Sequence, residues 1–330
     1  MEEKLLSLGI DTSNYKTSVA VTSSEGEIIF NSQSFLKVKE GQRGLRQSEA
    51  LFQHVQKLPD AIDEAFSVKG VRGHIGVVGV SSRPRPVCGS YMPVFIAGMG
   101  AAKTVASALG VPLYEFSHQE GHIEAVKHYS PMAVADRLIC FHFSGGTTEA
   151  VLCDFNSGLY EIVGGSRDIA YGQVLDRVGV AMGYHFPCGE EIDSLSLNAA
   201  EDDIDSKLLK RIKVRDGFVN LSGIETQCQR ILAAGSCSRE ALSASLMDAL
   251  SRSVADMTLY LADKYNIHDF LYAGGVSCSA FLRNYLERNL PSGINTAFGS
   301  PELSSDNAVG ISLLGGKKYG LKARYGFTTK

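Results

Sequence analysis

This chain of 330 residues has little of what would mark several protein classes. Its seven cysteines, Cys88, Cys140, Cys153, Cys188, Cys228, Cys237 and Cys278, form no C-x-x-C pair and leave one over, which suits reduced thiols better than a disulfide framework. The opening MEEKLLSLGIDTS is acidic and its apolar stretch is only a few residues long, so neither a secretory signal nor a transmembrane span is expected there. The expectation is a cytoplasmic protein with no membrane partner. No dense Lys/Arg run marks a nucleic-acid tail, and 32 basic against 36 acidic residues leave a net charge of −4. Any RNA would have to be bound through a local patch.

What is present suits two domains, each with its own core: the length allows it, and the 44% hydrophobic content is ordinary for a globular chain. The first stretch reads as an apolar strand, a polar turn, the β-rich run TSVAV, a turn at SSEGE and a further strand. From Ser48 to Ala65 apolar residues recur at helical spacing, HIGVVGVSS then reads as a buried strand, and VFIAGMGAAKTVASALG as a long helix closed by Gly110. Near Arg137 the opening pattern returns in RLICFHFSGGTTEAVLCDFNSGLYEIVGG. Two such halves predict a duplicated α/β fold with a cleft between lobes; the alternative is one large mixed sheet.

Three turns that follow apolar strands offer anion-binding chemistry. In GIDTSNYKTS, Asp11 stands at a strand end with Thr12, Ser13, Thr17 and Ser18 after it, a set that either holds a phosphate or metal-bound water or simply caps a turn. In FSGGTTE the glycines permit close backbone approach and Thr147 and Thr148 add hydroxyls, without the spacing or lysine of a P-loop. LYAGGVSCSAF places a Gly-Gly turn before an amphipathic helix, whose N-terminal N–H groups suit an anion. Asp176 and Asp193 can accept hydrogen bonds from ribose hydroxyls, or they are solvated or capping residues.

His118 and His122, in HQEGH, share one helix face at i, i+4, about 5–6 Å apart at Cβ, which suits two imidazoles on one metal. The order is H-x-E-x-H, so Glu120 projects away from the histidine face and a zincin-type protease is disfavoured. A third ligand is needed, for which Asp306 in SSDNAVG is a candidate; the alternative is a pair of surface or capping histidines.

Taken together, LGIDTSNYKTSVAV, HQEGHI, FSGGTTEAVL, YGQVLDRV, FPCGEEID, NLSGIET, LYAGGV and SSDNAVGI resemble one family over nearly the whole chain. It is the universal tRNA threonylcarbamoyladenosine transferase, once mislabelled O-sialoglycoprotein endopeptidase, of the actin/Hsp70/sugar-kinase superfamily. The resemblance implies an α/β duplicated fold of two lobes with a central nucleotide cleft. Residues 1–114 with 304–330 would form the N-terminal lobe, and 115–303 the C-terminal lobe carrying the histidines. It implies one divalent metal, iron or zinc, on His118, His122 and Asp306. An adenylate or ATP-type nucleotide would lie near Phe143, Ser144, Gly145, Gly146, Thr147, Asp176, Gly189, Asp193 and Ser279. The implied reaction is metal-assisted transfer of threonylcarbamoyl from its AMP anhydride to N6 of the adenosine beside the tRNA anticodon, with Asp11 ordering water or relaying a proton. Implied partners are tRNA and accessory subunits, namely a catalytically inert paralogue and a small ATPase.

The chain departs from the family pattern around those motifs. Asp11 stands where Glu is usual, and Asn14, Tyr15 and Lys16 replace C-D-D; Thr147 replaces a histidine, Ser279 an asparagine, and SSRPRPVCGSY, with Arg83 and Arg85, a G-P-G-L turn. Kept ligands in altered surroundings leave two alternatives: a paralogous carbamoyltransferase with another acceptor, or a nucleotide-binding ATPase-fold subunit or phosphotransferase.

Overall fold

The computed structural model describes residues 5–13, 15–37, 45–87, 89–143, 145–199, 208–304 and 307–320. The chain divides into two units, Met1–Tyr129 with Ser305–Lys330, and Ser130–Ser304. The first unit opens with an antiparallel meander, β1 (Leu6–Asp11), β2 (Lys16–Ser23) and β3 (Ile28–Phe35). Helix α1 (Gln47–Ser67), strand β4 (Ile75–Arg83), helix α2 (Phe95–Leu109), strand β5 (Leu113–Ser117) and helix α3 (His118–His128) follow. The sheet order is β3-β2-β1-β4-β5, with β4 parallel to β1 and β5 parallel to β4.

The second unit repeats this plan. Its meander is β6 (Arg137–Phe143), β7 (Thr148–Asp154) and β8 (Leu159–Ser166), followed by α4 (Tyr171–Ala181), α5 (Gly189–Asn198), β9 (Phe218–Val219), α6 (Ser222–Ala234) and α7 (Arg239–Tyr265). Then come β10 (Asp269–Ala273), α8 (Ala280–Asn289), β11 (Asn295–Phe298) and α9 (Pro301–Ser304). The order is β11-β10-β6-β7-β8-β9, so β10 and β11 continue parallel to β6 as β4 and β5 continue from β1. Two separate sheets of matching order replace the single mixed sheet that the sequence also allowed.

Burial explains the strand compositions. Every residue of β1 and β2 is buried, as expected of strands covered on both faces. In the second unit Phe141, Tyr272 and Phe298 are register partners on β6, β10 and β11, and their rings stack with centroids 5.3 and 5.0 Å apart.

The last helix, α10 (Val309–Tyr319), belongs to the first unit. Ser7 and Ser312 exchange side-chain-to-carbonyl hydrogen bonds at 2.6 and 2.7 Å, fixing α10 on β1. On its other side α10 meets α3 so closely that a Cβ at Gly310 would overlap the Gly121 carbonyl. That packing, with the direct run of β5 into α3, puts both histidines in the first unit. A boundary at 114/115 would have placed them in the second; hydrophobic pattern does not reveal which sheet a helix returns to.

In this core His54 is fully buried on α1, its Nδ1 2.8 Å from Thr17 Oγ1. Burial, opposed by the charge of Asp11 and assisted by Lys57, lowers its pKa from 6.5 to about 4. The folded value lies below the unfolded one, so this contribution to stability is full above about pH 6.5 and lost as pH falls toward 4. The loss amounts to roughly 3 kcal/mol. Urea denaturation of His54→Gln between pH 4 and 7 should show a correspondingly flatter profile than the parent; parallel profiles would contradict the assignment.

Candidate functional site

In the first unit the parallel strands β1 and β5 end on the same side of the sheet, where open α/β sheets carry their chemistry. Asp11 closes β1, and α3 starts directly on β5. The helix start is fixed by a capping box: Ser117 Oγ accepts from Glu120 N at 3.1 Å, and Glu120 Oε2 accepts from Ser117 N at 2.6 Å. Glu120 is thereby held off the histidine face, with Arg83 3.6 Å away, as its place in H-x-E-x-H predicts.

On that face the Nε2 atoms of His118 and His122 stand 2.9 Å apart. Asp11 Oδ1 is 3.0 Å from His118 Nδ1, while its Oδ2 accepts from Ser13 Oγ at 2.7 Å and from Ser13 N at 3.3 Å. Asp11 is completely buried and His122 nearly so. An ionised carboxylate only accepts, so in a neutral His118 the proton is on Nδ1 and the Nε2 lone pair points at His122. Asp11 thus both caps its turn and orients a histidine.

The pair fits a metal. Two imidazole nitrogens each about 2.0–2.1 Å from one tetrahedral zinc lie roughly 3.3 Å apart, close to the separation here, and a carboxylate behind the ligating histidine is the usual outer partner. Among the described residues no group of three His, Cys, Asp or Glu side chains is arranged so that all three could hold one metal ion. Asp306, the expected third ligand, lies outside the described residues, as do Ser144, Asn14 and Cys88.

In the second unit β6 and β10 are parallel neighbours, so the turns after Phe143 and Ala273 emerge side by side. Their backbones touch: Gly274 has φ 91°, and a Cβ there would overlap the Phe143 carbonyl. Phe143 is fully buried in the aromatic stack, so its side chain belongs to the core, whereas Gly145 and Gly146 are exposed with open space around them. Thr147 is partly buried, and Thr148 Oγ1 accepts from Tyr171 N at 3.0 Å, tying the turn to α4.

Asp193 and Ser279 come together. Asp193 on α5 accepts from Ser279 Oγ at 2.5 Å, Ala280 N at 2.9 Å and Phe281 N at 3.2 Å, so it caps α8 from another helix. Asp176 Oδ1 accepts from Cys188 N at 2.8 Å just before Gly189, the first residue of α5. Burial raises the Asp176 pKa, with the nearby Glu191 charge acting the same way and the Cys188 bond opposing. Both carboxylates thus make capping and bracing contacts of the kind the sequence allows for them.

Solved structures with which the chain shares little sequence establish the fold class. Component A of (R)-2-hydroxyglutaryl-CoA dehydratase from Acidaminococcus fermentans superposes with a TM-score of 0.55 at 15% identity, covering 95% of this chain and 98% of that one. HypF, in a phosphate- and nucleotide-bound form, gives 0.61 at 13% identity, covering 97% of this chain and 47% of that one. The fold is thus of the actin/sugar-kinase type. Among curated proteins, tRNA N6-adenosine threonylcarbamoyltransferases of Geobacter metallireducens and Streptococcus pneumoniae are 30% and 29% identical to it, over 94% and 91% of this chain and 91% and 88% of theirs. The sequence profile of TsaD, tRNA N6-adenosine threonylcarbamoyltransferase, matches residues 27–313, and the chain belongs to this family of transferases.

Proposed function

We propose that the chain transfers a threonylcarbamoyl group from threonylcarbamoyl-AMP to N6 of an adenosine beside the tRNA anticodon, with one divalent metal, iron or zinc, on His118, His122 and Asp306. The observation that carries this reading is the convergence of two imidazole Nε2 atoms at 2.9 Å, backed by Asp11, in a member of this family. A metal held there supplies Lewis-acid polarisation of a carbonyl or carboxylate oxygen of the donor. Asp11 acts as a positioning residue: it keeps the His118 proton on Nδ1 and the ring in place. Backbone N–H groups of the Gly145–Thr147 turn hold the phosphate of the adenylate. Asp193, through Ser279, fixes the start of α8, and Asp176 fixes the start of α5. Cytoplasmic action with tRNA, an inert paralogue and a small ATPase belongs to the same reading.

One observation favours a second acceptor. Lys16, where the resemblance places an acidic residue, is buried, donates to Gln33 Oε1 at 2.9 Å and lies over the Phe35 ring. A fixed cation at that position suits a paralogue that carries the same group to another amine. Complementation of a strain depleted of its own enzyme separates the two. Restored threonylcarbamoyladenosine in digested tRNA, lost again with His118→Ala, supports transfer to tRNA; absence of the nucleoside at normal protein levels overturns it.

A further inference from the structure

The segment after residue 207 builds a basic pocket within the second unit. A cavity of about 310 Å³ is lined by Arg167, Lys210, Arg211, Lys213 and Arg215, with the polar Asn220 and Gln227 on its wall. Five of the chain's 32 basic residues thus surround one cavity on a protein of net charge −4. Like charges so gathered repel one another, a cost that an anionic ligand offsets.

The platform beneath them is fixed. Leu209 and Ile212 are buried in the core while Lys210, Arg211, Lys213 and Arg215 are exposed. Arg215 and Phe218 exchange backbone hydrogen bonds at 2.8 and 2.9 Å across a tight turn at Asp216 and Gly217, and β9 then joins the sheet beside β8. The Arg167 guanidinium lies 4.9 Å from the Phe218 ring centroid.

Two of the five charges are already answered. Arg211 makes a forked contact with Asp256, at 2.8 to 3.2 Å, and Arg167 has Asp216 at 3.9 Å. Lys210, Lys213 and Arg215 have no carboxylate partner among the described residues. The N-terminus of α6 is not the anion's partner, because Asp168 already accepts from Leu221 N and Ser222 N at 2.8 and 3.0 Å.

We infer that this pocket and its rim dock the phosphodiester backbone of a polynucleotide. Exposed cations along six residues hold a small free anion poorly, since each is screened and flexible. Their effects accumulate along a polyelectrolyte, where every neutralised phosphate releases a counterion. The inference rests on the reading of this chain as an RNA-modifying enzyme, and names the surface that reading requires.

The test compares the full chain with a pocket triple variant, Lys210→Ala, Lys213→Ala and Arg215→Ala, and a control that removes three charges elsewhere, Lys69→Ala, Lys103→Ala and Lys318→Ala. Binding of unmodified tRNA transcript and of poly(U) is measured across a salt series, with inorganic phosphate as competitor. The pocket variant should bind tRNA at least about tenfold more weakly at low salt, with a salt slope smaller by about 2, while the control shifts much less. Equal losses in both variants, or none in either, overturn the inference; so does displacement of RNA by millimolar phosphate, which marks a small-anion site. If wild type and pocket variant restore the modified nucleoside equally well and bind tRNA alike, this inference fails and the tRNA reading stands. If neither restores it but the pocket variant still loses RNA binding, the docking surface stands and the reaction assignment fails.

Discussion

His122→Ala is expected to reduce bound metal from about one equivalent to a trace and to lower threonylcarbamoyl transfer by at least about a hundredfold. The ring is buried on α3, and its Nε2 lies 2.9 Å from that of His118, so no water-exposed donor replaces it. The neighbouring carboxylate gives a graded control. Asp11→Asn keeps the shape of the turn but substitutes a weaker partner at His118 Nδ1, and loss of such an outer partner costs about 10–100-fold in metal affinity. Asp11→Asn should therefore regain metal and activity when metal is supplied in excess, whereas His122→Ala should not. Elemental analysis of the purified variants, with folding checked by circular dichroism, reads this directly. Full metal content in His122→Ala would overturn the site.

Gly310→Ala should destabilise the protein by about 3 kcal/mol, at the upper end for overpacking, because the intruding methyl meets backbone and not a movable side chain. The added Cβ would fall on the Gly121 carbonyl and 2.9 Å from Ala125 N, so α10 and α3 have to separate. Separation also pulls at the Ser7–Ser312 exchange that holds α10 on β1. Gly100→Ala on α2 is the contrast: nothing lies within 4 Å of its added Cβ, and its effect should be neutral or stabilising by up to about 1 kcal/mol. Urea midpoints of the two variants decide the matter. A Gly310→Ala protein as stable as the parent would mean that α3 and α10 are not in close backbone contact.

The two predictions probe the same helix at neighbouring residues, His122 and Gly121, and that helix shows what was readable in advance. The i, i+4 spacing put His118 and His122 on one face, and the order of HQEGH directed Glu120 elsewhere; both follow from the helical period and hold in α3. Asp11 was legible as a strand-end acid with hydroxyls after it. Its partnership with a residue 107 positions away was not, because pairing across a sheet depends on strand order. Asp193 and Ser279, 86 residues apart, make the same point: each was a candidate ligand in the sequence, and together they form a helix cap. The cations of the basic pocket form no dense Lys/Arg run because Ile212 and Val214 interrupt them. The usable signal was four cations in the six residues Lys210 to Arg215.

Local order by itself determined the elements of this protein: alternation and apolar runs made the strands, helical spacing made α1 and α2, and the repeated meander announced a duplicated α/β fold. These depend on contacts within a few residues, which the chain carries wherever it goes. Only the tertiary structure decided that α3 belongs with the first sheet, that Asp11 stands behind His118, and that Asp193 serves α8. It also gathered Arg167 with the cations of 210–215. Those juxtapositions come from parallel strand pairing, from backbone approach at Gly121 and Gly310 and from a side-chain cap between α5 and α8, which join residues distant in sequence and leave no periodic trace within it.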